Sequence, residues 1–170
     1  MDRVALLRGI NVGHRQIAMA DLRTLFEDLN LGPARTLLQS GNVAFTGDGK
    51  NDARLERLLE SETQKRFGIQ TAYFVRGAGE LRKIVAGNPF KREAERDPAR
   101  LVVFFLKEQA DRKAASALKA SYAGPEVFEL AGKHVYVYYP LGQGRSKFKA
   151  PWMGTARNWN TVGKLLALLD

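Results

Sequence analysis

The chain has 170 residues, 27 Lys and Arg against 18 Asp and Glu, and a net charge of +9. It has no cysteine and only two histidines, which excludes disulfides, thiolate catalysis and Cys-ligated zinc and leaves no metal site to expect. Its 45% hydrophobic content is that of a globular protein, and a chain this long buries roughly 70% of its extended surface without help from a metal.

Asp2 to Leu7 reads as a short buried strand, followed by the loop Gly9-Ile10-Asn11-Val12-Gly13-His14. From about Met19, Leu22, Leu25, Phe26 and Leu29 recur at helical spacing, and Gly32-Pro33 is the expected stop. Thr36-Leu37-Leu38 and Val43-Ala44-Phe45 flank Gln39-Ser40-Gly41-Asn42, as two strands around a turn or one strand with a glycine bulge would. Asn51 or Asp52 can cap a second helix that stops at Gly68; its Glu56 and Glu60 are expected to face solvent. Ile69 to Val75 is a strand, and Leu81, Ile84 and Val85 mark a third helix ended by Gly87-Asn88-Pro89.

Lys91 to Pro98 is charged and aperiodic, an exposed connection between halves. Leu101 to Leu106 is a continuous apolar run, as in a strand covered on both faces. An alanine-rich helix follows from about Gln109 to Ala120, then a hairpin of Val127–Leu130 and His134–Tyr139. A last helix is expected from Thr155, with Trp159, Val162, Leu166 and Leu169 on its apolar face. The fold class is therefore α+β: two ferredoxin-like (alpha-beta plait) subdomains, residues 1–88 and 89–170, with mostly antiparallel sheets and helices packed on one face.

Three motifs stand out: Leu6-Leu7-Arg8-Gly9-Ile10-Asn11-Val12-Gly13, Gln39-Ser40-Gly41-Asn42-Val43, and Thr155-Ala156-Arg157-Asn158-Trp159-Asn160-Thr161-Val162. In residue type, order and spacing they resemble the DUF1697 family of small bacterial proteins, a family of unknown function. The resemblance implies a pair of ferredoxin-like subdomains and brings no activity, cofactor or catalytic residue with it. His14 departs from the family pattern, in which a second glycine often follows the one matching Gly13.

The glycine-flanked loop sits between strand and helix, where phosphate-binding loops sit, but neither nucleotide-binding glycine signature is present. Arg8, Asn11, Ser40, Asn42, Arg157 and Asn160 are the candidate ligand contacts; the alternative is that Gly9, Gly13 and Asn11 only shape a turn. Ser40 has no base tied to it by spacing, so a turn role outweighs a nucleophilic one. Arg157, Asn160 and Lys164 would share a face of the last helix as a small anion site or a solvated face.

From Leu130 to Leu169 there is no acidic residue and six basic ones, which makes Lys133, Arg145, Lys147, Lys149 and Lys164 candidate polyanion contacts. His134, Tyr136 and Tyr138 alternate on one side of the hairpin, where RNA-recognition sheets stack bases; the competing role is packing. No nucleophile–base pair emerges, and no cofactor is indicated. The expectation is a cytoplasmic protein, without membrane contact, that binds nucleic acid or another polyanion without catalysis. The alternatives are a binding protein or enzyme for a phosphate-bearing small molecule, and an interaction module pairing as a homodimer through Tyr136 and Tyr138.

Overall fold

The structure is a computed structural model describing residues 1–170. Contacts divide it into two compact units, Met1–Ile84 with Lys164–Asp170, and Val85–Gly163. Residues 85–88 thus group with the second unit and residues 164–170 with the first, unlike a cut after residue 88.

The first unit runs β1 (Arg3–Leu7), α1 (Met19–Asp28), β2 (Arg35–Thr36), β3 (Asn42–Phe45), α2 (Asp52–Phe67), β4 (Tyr73–Gly77) and α3 (Ala78–Ala86). Its sheet is antiparallel in the order β2-β3-β1-β4, the order of a ferredoxin-like plait. Alternation puts Ala5, Leu7, Val43, Phe45, Tyr73 and Val75 into one core with Leu22, Leu25 and Phe26 of α1 and Leu55 and Leu59 of α2. The intervening Val4, Leu6, Ala44 and Phe74 are fully buried too, so neither face of this sheet is open to water.

The stop of α1 is Asn30, not Gly32-Pro33. Asn30 takes the left-handed conformation at φ 58°, which aims its N–H at Glu27 O and the Leu31 N–H at Phe26 O. That pairing satisfies two orphan carbonyls before the proline is reached. The α2 start is as expected, with the Asn51 side chain accepting from Arg54 N at 2.8 Å. Glu56 and Glu60 of α2 do not simply face solvent: Glu56 accepts from Val75 N and Glu60 from Tyr73 N, both at 2.9 Å. Edge strand β4 pairs with β1 on one side only, and these glutamates take the outward N–H groups that would otherwise be unsatisfied.

The second unit holds α4 (Lys91–Arg96), β5 (Leu101–Leu106), α5 (Arg112–Ser121), β6 (Val127–Ala131), β7 (His134–Tyr138) and β8 (Gly154–Asn158), and α6 (Trp159–Leu169) follows. The charged segment before β5 is therefore a short helix with no buried residue rather than an irregular connection. The second sheet is ordered β6-β7-β5-β8, again antiparallel and again the plait order. One part of the plait is replaced: the connection from β7 to β8 contains only a single 3-10 turn, Gln143–Arg145. Aromatic side chains occupy the space a helix would fill, with Phe148 against Tyr122 (ring centroids 5.1 Å) and Phe128 (5.5 Å), and Trp152 against Phe128 (5.5 Å).

The last helix starts later than its sequence suggests. Thr155 to Asn158 are strand, paired with β5 so that Thr155 meets Phe105 and Arg157 meets Val103. Thr155 and Arg157 are buried on alternate positions, a period of two that hides inside the helical spacing of the following apolar residues. Asn158 is the cap, its Oδ1 accepting from Thr161 N at 3.0 Å.

Candidate functional site

In the first unit the loop after β1 and the turn before β3 form one connected structure. Asn11, in the left-handed region at φ 57°, donates from Nδ2 to Gln39 O at 2.6 Å and accepts at Oδ1 from Ile17 N at 2.9 Å. Arg15 donates to Gly9 O at 2.8 Å and to Gln70 O at 2.7 Å. Asn42 is fully buried and donates to Leu37 O at 2.7 Å and Ser40 Oγ at 3.0 Å. Gly41 stands at φ 84°, and a Cβ there would lie 2.7 Å from Ile10 Cδ1 and 2.9 Å from Leu7 Cβ. Thus Asn11, Ser40 and Asn42 do come together, but their polar atoms hold turns and carbonyls in place. Arg8 is exposed beside them, with no hydrogen bond or ion pair to its guanidinium.

The remaining two ligand candidates lie elsewhere. Arg157 is 8% exposed on β8 and donates to Thr155 Oγ1 and Ala156 O, both at 2.8 Å. Burial pushes its guanidinium down to about 10, so it stays charged at neutral pH. Asn160 is exposed in the first turn of α6. With Arg157 on a strand, the shared helical face of Arg157, Asn160 and Lys164 does not exist.

The basic candidates fare differently. In residues 145–150 exposure alternates: Arg145, Lys147 and Lys149 are exposed, Phe148 is buried, and Ser146 and Ala150 are half-buried. Ser146, in extended conformation, donates its hydroxyl to Glu126 Oε1, while Phe148 and Ala150 join the aromatic core of the unit. Arg145 closes the 3-10 turn, and Lys147 and Lys149 follow it on either side of the buried Phe148, so three exposed cations fall within five residues of one short strap. None of the three carries an ion pair. Lys133 is exposed in the β6–β7 turn and Lys164 is exposed on α6.

The hairpin aromatics are not a stacking platform. Tyr136 is 1% exposed and Tyr138 8%, and the Tyr138 hydroxyl donates to Asp97 at 3.2 Å and accepts from Arg96 at 3.4 Å. The rings are thus buried and, in Tyr138, bonded inside the unit, with little face left for a base or a second protomer. Burial pushes the Tyr136 hydroxyl up to about 12. No group of three or more His, Asp or Glu side chains is placed to hold a metal ion, and no helix is long and apolar enough to cross a membrane.

A family model described as "Protein of unknown function (DUF1697)" matches residues 1–136. The chain belongs to the DUF1697 family. Among solved structures, this DUF1697 member is similar to the conserved bacterial protein SP0830 from Streptococcus pneumoniae. The two share 26% identity with a TM-score of 0.79, over 99% of this chain and 99% of that chain. No curated protein matches it. The family match ends inside β7, before the strap, so the DUF1697 relationship says nothing about Arg145, Lys147 and Lys149.

Sequence reasoning missed a second cluster in the same unit, Glu126 with Tyr122 and Ser146. Both hydroxyls donate to the Glu126 carboxylate. Burial alone would raise the Glu126 pKa, but these hydrogen bonds overcome it and hold the carboxyl below its usual range. Tyr122 and Ser146 stand 4 and 20 positions from Glu126 and share no motif with it, so no sequence signal pointed to the cluster.

Proposed function

We propose that this protein binds polyanions, single-stranded nucleic acid foremost, through Arg145, Lys147 and Lys149, and does so in the cytoplasm without catalysis. One observation carries the reading: Arg145, Lys147 and Lys149 are exposed within five residues, none of them in an ion pair, on a segment held down by the buried Phe148. Ordinary surface charge is scattered and mostly compensated, whereas a close cluster of like charges repels itself and is relieved by a polyanion. Release of counterions from the polyanion then supplies the binding energy. The net charge of +9 assists encounter without specifying a site.

Labelled single-stranded RNA and DNA, titrated over a salt series, test this. Three phosphate contacts give a slope of log affinity against log salt of about −2 on single strands. The double variant Lys147→Ala, Lys149→Ala should lose about 1.4 of that slope and bind more weakly at every salt concentration. Equal slopes for wild type and variant would remove the strap from the interaction. No binding at low salt would leave the positive charge as a solubility feature.

A further inference from the structure

Beside the strap's anchor, the second unit has a cleft of opposite character, about 580 Å³ in volume, within the range of small-molecule sites. Its walls include Phe90, Tyr122 and Phe128, and its charged residues are Glu93, Glu126, Glu129 and Lys119. Three carboxylates against one ammonium make the cleft locally negative in a chain whose net charge is +9. Lys119 and Glu129 pair with each other at 2.9 Å, which leaves the charges of Glu93 and Glu126 without an ion pair.

Glu126 is the more informative of the two. It is 7% exposed, close beneath the surface, and the side chains that donate to it are two neutral hydroxyls. Hydroxyls satisfy lone pairs but do not cancel charge. A carboxylate withdrawn from water therefore gains by a nearby cation, and the open side of this one is the cleft. The walls are suited to an organic cation rather than a hydrated ion, because aromatic faces attract positive charge and bury its alkyl stem. The unit already shows that fit once: the Lys119 ammonium, paired to Glu129, stands 5.3 Å from the centroid of the Phe128 ring.

We propose that this cleft is a binding site for a small alkylammonium ligand, its stem against Phe90, Tyr122 and Phe128 and its charge between Glu93 and Glu126. Glu126 supplies the fixed, hydroxyl-held charge, and Glu93 on α4 supplies the second from across the aromatic wall. The site is separate in sign and in residues from the polyanion strap, so either stands if the other fails.

The test titrates the ¹⁵N-labelled full chain with n-butylammonium chloride, against sodium chloride at matched concentration, while amide shifts are followed. Saturable shifts confined to residues 90–93 and 119–129, absent with sodium chloride, are expected. Glu93→Gln, on an exposed short helix, should weaken binding about tenfold with the rest of the spectrum unchanged. Glu126→Gln should weaken it at least as much. Shifts that never saturate, that sodium chloride reproduces, or that Glu93→Gln leaves at wild-type affinity would overturn the proposal.

Discussion

Leu38 is the residue whose conformation its own chemistry explains least. It sits at φ 60° with about half its surface exposed, so it carries the left-handed penalty of a branched side chain without burying that side chain in return. Asparagine tolerates this region, and Leu38→Asn should stabilise the protein by about 1 kcal/mol, seen as a higher urea midpoint with unchanged slope. Glu126 yields a prediction of the other kind. Its pKa is depressed in the folded state, so the stability it contributes is present above the ordinary carboxylate range and is lost as pH falls through the folded value. The wild type should lose its advantage over Glu126→Gln as urea midpoints are taken from about pH 6 down to about pH 3. A constant gap between the two curves would mean that the hydroxyls of Tyr122 and Ser146 do not favour the charged form.

Among the elements, edge strand β4 depends on α2 more than a helical wheel discloses. Glu56 is buried and reaches the Val75 N–H. Glu56→Ala would leave that donor unsatisfied and should cost about 2–3 kcal/mol. Hydrogen exchange at the Val75 amide should quicken more than at amides of β3, whose strand has β-partners on both sides. Had these glutamates only faced solvent, as their i, i+4 spacing suggested, the substitution would change little. The β7–β8 connection is the other element with a consequence. Phe148 and Trp152 cover the sheet where a helix stands in the first unit, and a strap needs only alternate residues for packing. The others are released to solvent, which is how Lys147 and Lys149 come to be exposed on either side of Phe148, just after Arg145.

For the whole molecule, the two sheets share one strand order although the second unit lacks a helix between its third and fourth strands. Both units end their plait on an edge strand with an arginine at its fourth position, Arg76 and Arg157, each nearly buried and each followed within two residues by a helix. Order and position repeat where residue types largely do not, because a plait constrains hydrogen-bonding direction and burial more than side-chain identity. The molecule carries its charge the same way, as a general excess that local structure sorts. The β7–β8 connection gathers exposed cations, and a cleft in the same unit collects carboxylates.

The sequence by itself determined the class of fold, the apolar faces of α1 and α2, a cap at Asn51 or Asp52 and the hairpin at Gly132, since each rests on periodicity or on a residue's backbone preference. It also marked the acid-free stretch and the turn at residues 39–42. Tertiary structure decided the rest. Asn30 ended α1 through carbonyls that only a formed helix presents, and pairing with β5 turned Thr155–Asn158 into strand against the helical spacing of the apolar residues in α6. Asn11 and Asn42 were readable as ligand contacts until their partners, 28 and 5 residues away, came within reach. The Glu126 cluster was not readable at all. A hydrogen bond between side chains depends on distance in space, and nothing in a local pattern records which residues twenty positions apart will meet.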